Sequence, residues 1–222
     1  MSQYDRKYNV VIQMKSLLIL KKFFLEGKEF VKAEEIKQYC DFLNLNYNYV
    51  INYFISRGYP LRIFRGIFYI KTLDELKFNT CKYSYLELVS RGLELKGINN
   101  WYFSLYTALK LNNATHEYYS MDYVISENLY RSKSISIDNR NFKFLKLKPT
   151  LLKFGIIENK IRYSDLEKTV LDFIYLWIYN KKSKKKILMD VSEYLPNLIK
   201  QKISDYGEKY PNSVKNIIKE MF

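Results

Sequence analysis

Residues 47–70 have the sequence YNYVINYFISRGYPLRIFRGIFYI, and this stretch decides the fold of the segment around it. In its first part the apolar residues are three and four positions apart, so they share one face of a helix. These residues are Val50, Ile51, Phe54 and Ile55. We therefore predict a helix that begins at Tyr47, ends at Arg57 and turns these four side chains inward.

The second part of the stretch predicts a β-hairpin. Two short runs rich in Ile, Phe and Tyr flank Arg65-Gly66, and Gly66 allows the positive φ that a tight turn requires. Upstream, residues 10–25 and 31–39 have the pattern of two more helices. Three helices followed by a hairpin is the order of a winged helix-turn-helix, in which the third helix enters the major groove of DNA.

The apolar residues of the first helix have spacings near three and four, so we expect them to face the core. They are Val10, Met14, Leu17, Leu18 and Leu25. We assign residues 1–75 to the winged helix-turn-helix domain and residues 76–97, with a helical pattern, to a connector.

Residues 98–222 mix helical and strand patterns. We predict a helix at 101–111, strands within 118–126, 132–148 and 156–163, a long helix at 165–180, and shorter helices after Pro196 and Pro211. The predicted fold class is α+β: a winged helix-turn-helix domain followed by a mixed α+β domain.

The net charge of the chain indicates which class of binding partner to expect. The chain has 37 Lys and Arg against 23 Asp and Glu, a net charge of +14. A positive balance of this size favours polyanions such as nucleic acid. No run is apolar enough to span a membrane, no export signal is visible, and Cys40, Cys81 and His116 do not have the spacing of a metal site. We expect a cytoplasmic protein with no cofactor, no metal and no membrane partner.

The predicted third helix supplies candidates for base recognition. Once its apolar face is inward, its outer face is polar and almost uncharged. Asparagine can form two bonds with adenine, and tyrosine can reach a phosphate or pack on a thymine methyl group. The candidates are Asn48, Tyr49, Asn52 and Tyr53. The alternative is a solvated helix surface.

Three arginines lie where a wing would meet DNA. Arg57 ends the third helix, and Arg62 and Arg65 lie on the hairpin. We expect them to contact the DNA backbone or the minor groove, the alternative being that they only make the surface soluble.

A larger basic region follows in the second domain, where residues 131–186 carry 15 Lys and Arg and 5 Asp and Glu. We predict a secondary basic surface there, for nucleic acid or another charged partner. The alternative is that the lysines are scattered over the surface of the protein and form no site. Its members are Arg131, Lys133, Arg140, Lys143, Lys146, Lys148, Lys181, Lys182, Lys184, Lys185 and Lys186.

Ser164-Asp165-Leu166-Glu167 has the pattern of a capping box, with the Ser164 hydroxyl accepting from the Glu167 amide. The same stretch resembles the Asp-x-Glu-Lys of a metal-dependent nuclease. A helix would turn Asp165 and Glu167 about 200° apart, which argues against a shared Mg²⁺. We therefore expect a protein that is not an enzyme, with no catalytic residues, and keep the nuclease as the least favoured alternative.

Several motifs together resemble those of the AbiEi antitoxin family of type IV toxin–antitoxin systems. The resemblance spans nearly the whole chain, and its most specific part is the last motif. The motifs are Arg57-Gly58-Tyr59, Arg62, Arg65-Gly66-Ile67-Phe68, Tyr102-Phe103-Ser104, Ala108-Leu109, Phe154-Gly155 and Ser164 to Asp172.

The resemblance implies a repressor that binds inverted repeats in double-stranded DNA of its own promoter. It also implies a second domain that counteracts a nucleotidyltransferase-like toxin without a stable complex, so it assigns no toxin-binding residues. This chain has Asn112-Asn113 where the family often has His-Gly, and Phe68 where a tyrosine is common. A stand-alone winged-helix regulator without a toxin is the alternative.

Overall fold

The computed structural model describes residues 3–222, with side chains from Val10 onward. The fold is mixed α+β, as the sequence predicts. The chain forms two compact units, residues 1–96 and 97–222.

The first unit contains five helices and three strands within its described residues. They are α1 (Gln3–Leu25), β1 (Phe30–Lys32), α2 (Ala33–Phe42), α3 (Tyr47–Ser56), β2 (Pro60–Phe64), β3 (Ile67–Ile70), α4 (Leu73–Phe78) and α5 (Tyr85–Leu95). The strands form an antiparallel sheet in the order β1-β3-β2, so β3 is central. The predicted third helix and hairpin are confirmed. The prediction that Val31 begins the second helix is wrong, because Val31 pairs with Phe68 in the sheet.

The first helix turns a different face inward from the one predicted. Ile19, Leu20 and Phe23 are buried with the second and third helices. The residues expected in the core, Val10, Met14, Leu17, Leu18 and Leu25, are exposed. Both faces of the helix are apolar, so spacing alone could not distinguish them; the packing of α2 and α3 decides which one is covered.

The segment predicted as a connector is two helices, and α5 packs against the hairpin. A Cβ on Gly92 of α5 would lie 2.6 Å from Ile63 and 2.8 Å from Phe64, so glycine is needed for this close approach. Burial of β3 on both faces follows from this packing, since α2 and α3 cover one face. Residues 85–95 therefore belong to the first unit.

The second unit has a six-stranded mixed sheet in the order β6-β7-β5-β4-β9-β8, with helices packed on it. Its elements are β4 (Trp101–Phe103), α6 (Leu105–Leu111), β5 (Met121–Ser126), β6 (Ile135–Ile137), β7 (Arg140–Lys146), β8 (Ile156–Glu158), β9 (Arg162–Ser164), α7 (Leu166–Tyr179), α8 (Lys184–Ser192), α9 (Lys200–Gly207) and α10 (Asn212–Met221), with short 3₁₀ turns at Pro149–Leu152 and Leu195–Asn197.

The helix predicted at 101–111 is wrong in its first turn. Residues Trp101–Phe103 form β4, which pairs with β5 and β9, and the helix begins only at Leu105. All three side chains of β4 are buried, which favours a central strand over a helix end because aromatic residues pack well on a sheet.

Two of the motifs quoted above, Tyr102-Phe103-Ser104 and Ser164 to Asp172, meet in one buried polar cluster. The Lys168 ammonium lies 2.5 Å from Asp172 Oδ1, and both side chains are fully buried. Lys168 also donates to the hydroxyls of Tyr102 and Tyr210, while Asp172 accepts from Tyr102, Tyr210 and Ser104. Burial lowers the pKa of Lys168, and the Asp172 carboxylate opposes that shift. Each charge is thus compensated inside the core, as a buried ion pair requires.

Gly155 is explained by the same cluster. Its φ is +64°, and a Cβ there would lie 2.7 Å from Lys168 Cβ. Asn113 has φ +54°, a region that asparagine tolerates better than most residues. Its neighbour Asn112 donates to the backbone oxygens of Ala108 and Ser164, which ties α6 to the end of β9.

The described helices include none with the length and apolar character that crossing a membrane requires.

Candidate nucleic-acid interface

Helix α3 and the β2–β3 turn are held in place by local hydrogen bonds. Asn46 caps the N-terminus of α3, and its side chain accepts from the Tyr49 amide at 3.1 Å. Gly66 has φ +77°, as predicted for this turn, and its carbonyl accepts from the Ala33 amide at 2.8 Å. The turn is therefore fixed to the beginning of α2.

Between α3 and the hairpin lies a groove of about 450 Å³, which we call the α3 groove. Asn48 and Asn52 line it from the helix, and Arg62 and Arg65 line it from the hairpin. All four side chains are exposed. The structure therefore brings together four of the seven residues predicted to contact DNA.

The two arginines of the α3 groove are free to bind an anion. Among the described residues no salt bridge involves Arg62 or Arg65, although Glu34 lines the same groove. Burial raises the pKa of Tyr47, which also lines the groove, and the positive charge of Arg62 opposes that shift. Two uncompensated guanidinium groups beside two amides suit contact with a phosphate backbone and base edges.

The other three predicted residues do not line the α3 groove. Tyr53 is half-buried against Phe54 and Tyr59, and burial raises its pKa. The guanidinium carbon of Arg57 lies 5.8 Å from the centre of the Tyr53 ring. Tyr49 is one turn before Tyr53 on the same side of α3. These residues form a separate stripe of the helix, and Tyr53 contributes to packing.

The α3 groove is also lined by residues that the sequence patterns did not indicate as site residues, among them Ile55 and Glu34. Ile55, predicted to face inward, is 44% exposed and lines the groove with Asn52. Glu34 lines it from the beginning of α2. The spacing of Ile55 from Asn48 and Asn52 places it on their face, and this signal was available. No local pattern indicated Glu34, because the tertiary packing of α2 brings it there.

The predicted secondary basic surface divides into paired and unpaired members. Lys182 and Lys186 both pair with Asp190, and Lys184 pairs with Glu220. The Arg140 side chain donates to the Tyr118 hydroxyl, and the Lys143 ammonium donates to the Ser132 carbonyl. Arg131 is half-buried. Lys133, Lys146, Lys148, Lys181 and Lys185 are exposed, and no salt bridge of theirs occurs in the described part of the chain.

The predicted capping box is wrong by one position. Asp165, not Ser164, caps the N-terminus of α7, and its side chain accepts from the Lys168 amide at 2.8 Å. Ser164 instead bonds to the Thr169 and Ser104 hydroxyls in the core.

The two carboxylates of the nuclease-like motif share a lysine. Asp165 Oδ2 lies 3.1 Å and Glu167 Oε2 lies 2.7 Å from the Lys202 ammonium. The prediction that these carboxylates point about 200° apart around the helix axis is wrong. Asp165 lies before the first residue of α7, so the helical rotation per residue does not apply to it. In residues 3–222 no group of three His, Cys, Asp or Glu side chains is placed to hold a metal ion.

No family model and no curated protein matches the chain. Among solved structures, the chain is similar to the RV2827C protein from Mycobacterium tuberculosis, with a TM-score of 0.59. The match covers 94% of this chain and 76% of that one at 6% sequence identity. At that identity the likeness is one of fold.

Proposed function

We propose that this protein is a sequence-specific DNA-binding repressor whose first domain is a winged helix-turn-helix. The observation that carries the proposal is the α3 groove, where Asn48 and Asn52 face Arg62 and Arg65. In support, the chain order is helix, strand, two helices and two strands, with β1 beside β3. This order is compatible with α3 as the recognition helix and the β2–β3 turn as the wing.

The two kinds of side chain would have different roles on DNA. Asn48 and Asn52 would bond to base edges in the major groove, where an asparagine amide matches the donor and acceptor of adenine. Arg62 and Arg65 would bind the phosphates that flank those bases, which fixes the position of α3 without carrying sequence information. Glu34 in the same groove would repel phosphate, so it restricts the path that the backbone can take.

We further propose that the repressor acts as the antitoxin of a type IV toxin–antitoxin pair. The support is the resemblance of the motifs from Arg57 to Asp172 to those of AbiEi antitoxins. In this proposal the protein represses its own operon from inverted repeats and opposes a nucleotidyltransferase-like toxin without binding it stably.

Binding of the full chain to DNA from upstream of its own gene, against random DNA of equal length, tests repression. A salt series separates the contribution of phosphate contacts from that of base recognition. Phosphate contacts weaken as the salt concentration rises, whereas base recognition sets the ratio of the affinities for upstream and random DNA. We expect a preference of roughly a thousandfold or more for the upstream DNA. Equal, salt-sensitive binding to both would contradict the proposal and leave the charge of +14 as the cause of affinity.

Co-expression with the neighbouring gene tests the antitoxin role. We expect the neighbour to encode a nucleotidyltransferase-like protein that stops growth, and this chain to restore growth without co-purifying. Specific DNA binding beside an unrelated neighbour would instead establish a stand-alone regulator.

A further inference from the structure

The second unit has an open groove of about 490 Å³ on the sheet face beside α6 and α7, which we call the α7 groove. Tyr106, Tyr123, Phe173 and Trp177 line it, together with small polar side chains at its edge. Among the described residues, Lys143 is the one charged side chain that lines it. Nothing in the proposed repressor function uses this groove.

The aromatic side chains of the α7 groove belong to a continuous series of ring contacts. Ring centres are 4.4 Å apart for Tyr119 and Tyr106, 4.9 Å for Tyr106 and Phe173, and 5.0 Å for Phe173 and Trp177. The Lys182 ammonium lies 3.9 Å from the centre of the Trp177 ring. Phe173 is buried in this series, whereas Tyr106, Tyr123 and Trp177 keep part of their surface in the groove, where a flat ligand can stack.

The rim of the α7 groove is positively charged. Lys133 and Lys181 are exposed, and each is next in the chain to a residue that lines the groove. No salt bridge of these two occurs within residues 3–222, and no acidic side chain in the described part of the chain lines the groove. The groove therefore favours a flat ligand that carries negative charge on both sides of the ring system.

An extended ligand fits this arrangement better than a compact one. A free nucleoside triphosphate concentrates its charge on one side of its base, whereas only Lys143 lies within the groove. The rim lysines instead come from the segment before β6 and from the end of α7. Charges distributed in this way match a chain of phosphates.

We propose that the α7 groove binds a single nucleic-acid strand, with an unpaired base stacked against the aromatic side chains and its flanking phosphates on the rim lysines. Stacking of this kind accepts any base and needs the base to be unpaired, so the site discriminates single strands from duplex. It is independent of the α3 groove, and its failure would leave the repressor proposal intact.

Anisotropy of labelled oligothymidylate and oligouridylate of about twelve nucleotides, titrated with the full chain, tests the proposal. In Trp177→Leu we expect about tenfold weaker binding of the strand, because one stacking surface is lost. Tyr179→Leu is the matched control: Tyr179 is an exposed aromatic residue of the same helix that does not line the groove, and we expect no change.

A second pair of variants, each of which removes one lysine charge, keeps the test valid if Trp177→Leu fails to fold. Thermal unfolding would show such a failure. Lys133→Gln and Lys160→Gln remove the same charge from exposed sites, but Lys160 is in the β8–β9 turn at the opposite edge of the sheet. We expect Lys133→Gln to reduce the salt slope by about 0.7 and Lys160→Gln to leave it unchanged.

Three outcomes would overturn the proposal. Equal strand affinity of folded Trp177→Leu and Tyr179→Leu would assign the aromatic series to core packing. Equal losses in both lysine variants would assign binding to diffuse charge. Competition by ATP at the same nucleotide concentration as the oligomer would make this a site for a free nucleotide.

Discussion

The α3 groove and the α7 groove have similar volumes, about 450 and 490 Å³, but opposite linings. The first presents amides and guanidinium groups, which recognise the edges of stacked bases and the phosphates beside them. The second presents aromatic faces with charge at the rim, which suit a base removed from its stack. In both proposals, net charge attracts nucleic acid and the chemistry of each lining selects its form.

The two grooves also differ in how they are built. All residues of the α3 groove lie between Ala33 and Phe68, whereas those of the α7 groove lie between Leu105 and Asn180. Helix α7 supplies Trp177 to its groove and Lys168 and Asp172 to the buried cluster.

The largest effect should follow from Lys168→Met. This change leaves the fully buried Asp172 carboxylate without its cation, so we expect unfolding free energy to fall by about 3–5 kcal/mol. Denaturant titration measures the loss. Lys168→Met/Asp172→Leu should recover part of it, and a double variant no more stable than the single one would contradict the role of the uncompensated charge.

The next largest effect should be on recognition of a DNA sequence. Asn52→Ala should cost about 1–3 kcal/mol in binding to upstream DNA and almost nothing on random DNA, because an amide pair with one base is lost. Competition binding measures the ratio. Asn141→Ala, an exposed asparagine of β7, is the control. Equal losses on both DNAs would show that Asn52 does not contact a base.

Arg65→Ala should weaken binding to every duplex by a similar factor. We expect a salt slope lower by about 0.9, the contribution of one phosphate contact. Arg91→Ala removes an exposed arginine of α5 that pairs with Glu94, and it should leave the slope unchanged. A loss confined to upstream DNA would instead place Arg65 on a base.

The smallest effect should be an acid-dependent loss of stability in the first unit. Burial raises the pKa of Glu75, but bonds from Tyr69 and from the amides of Thr72 and Lys82 outweigh it and hold the pKa below its usual value. A carboxyl whose pKa is lower in the folded state stabilises the fold above its unfolded pKa, and this stability is lost as the pH falls below about 4.3.

Glu75→Gln tests this effect by removing the ionisable group while keeping its size. We expect the variant to be less stable at neutral pH and to lose less stability than the parent between neutral pH and pH 3. Melting temperatures across this range measure the difference, and parallel curves for the two proteins would exclude a contribution of Glu75 to acid sensitivity.

Several parts of the fold could be predicted because the signal was local. Helix α3 and the hairpin have apolar spacing and a turn glycine within one stretch, and the structure confirms both. The first helix shows the limit: it is apolar on two faces, and only packing with α2 and α3 leaves Met14 and Leu18 outside. Residues 101–103 show another limit, because a strand of three residues is recognised only by its partners.

The sequence by itself determined the α+β class, the stretch that forms α3 and the hairpin, and the positive charge, since these depend on periodicity and composition. Only the tertiary structure decided that Asn48 and Asn52 share a groove with Arg62 and Arg65 while Tyr53 packs away from it. Likewise, only the folded chain brings Lys168, Asp172 and Tyr102 into one hydrogen-bonded cluster. The physical reason is that spacing assigns residues to a face, whereas the elements that cover that face come from distant parts of the chain.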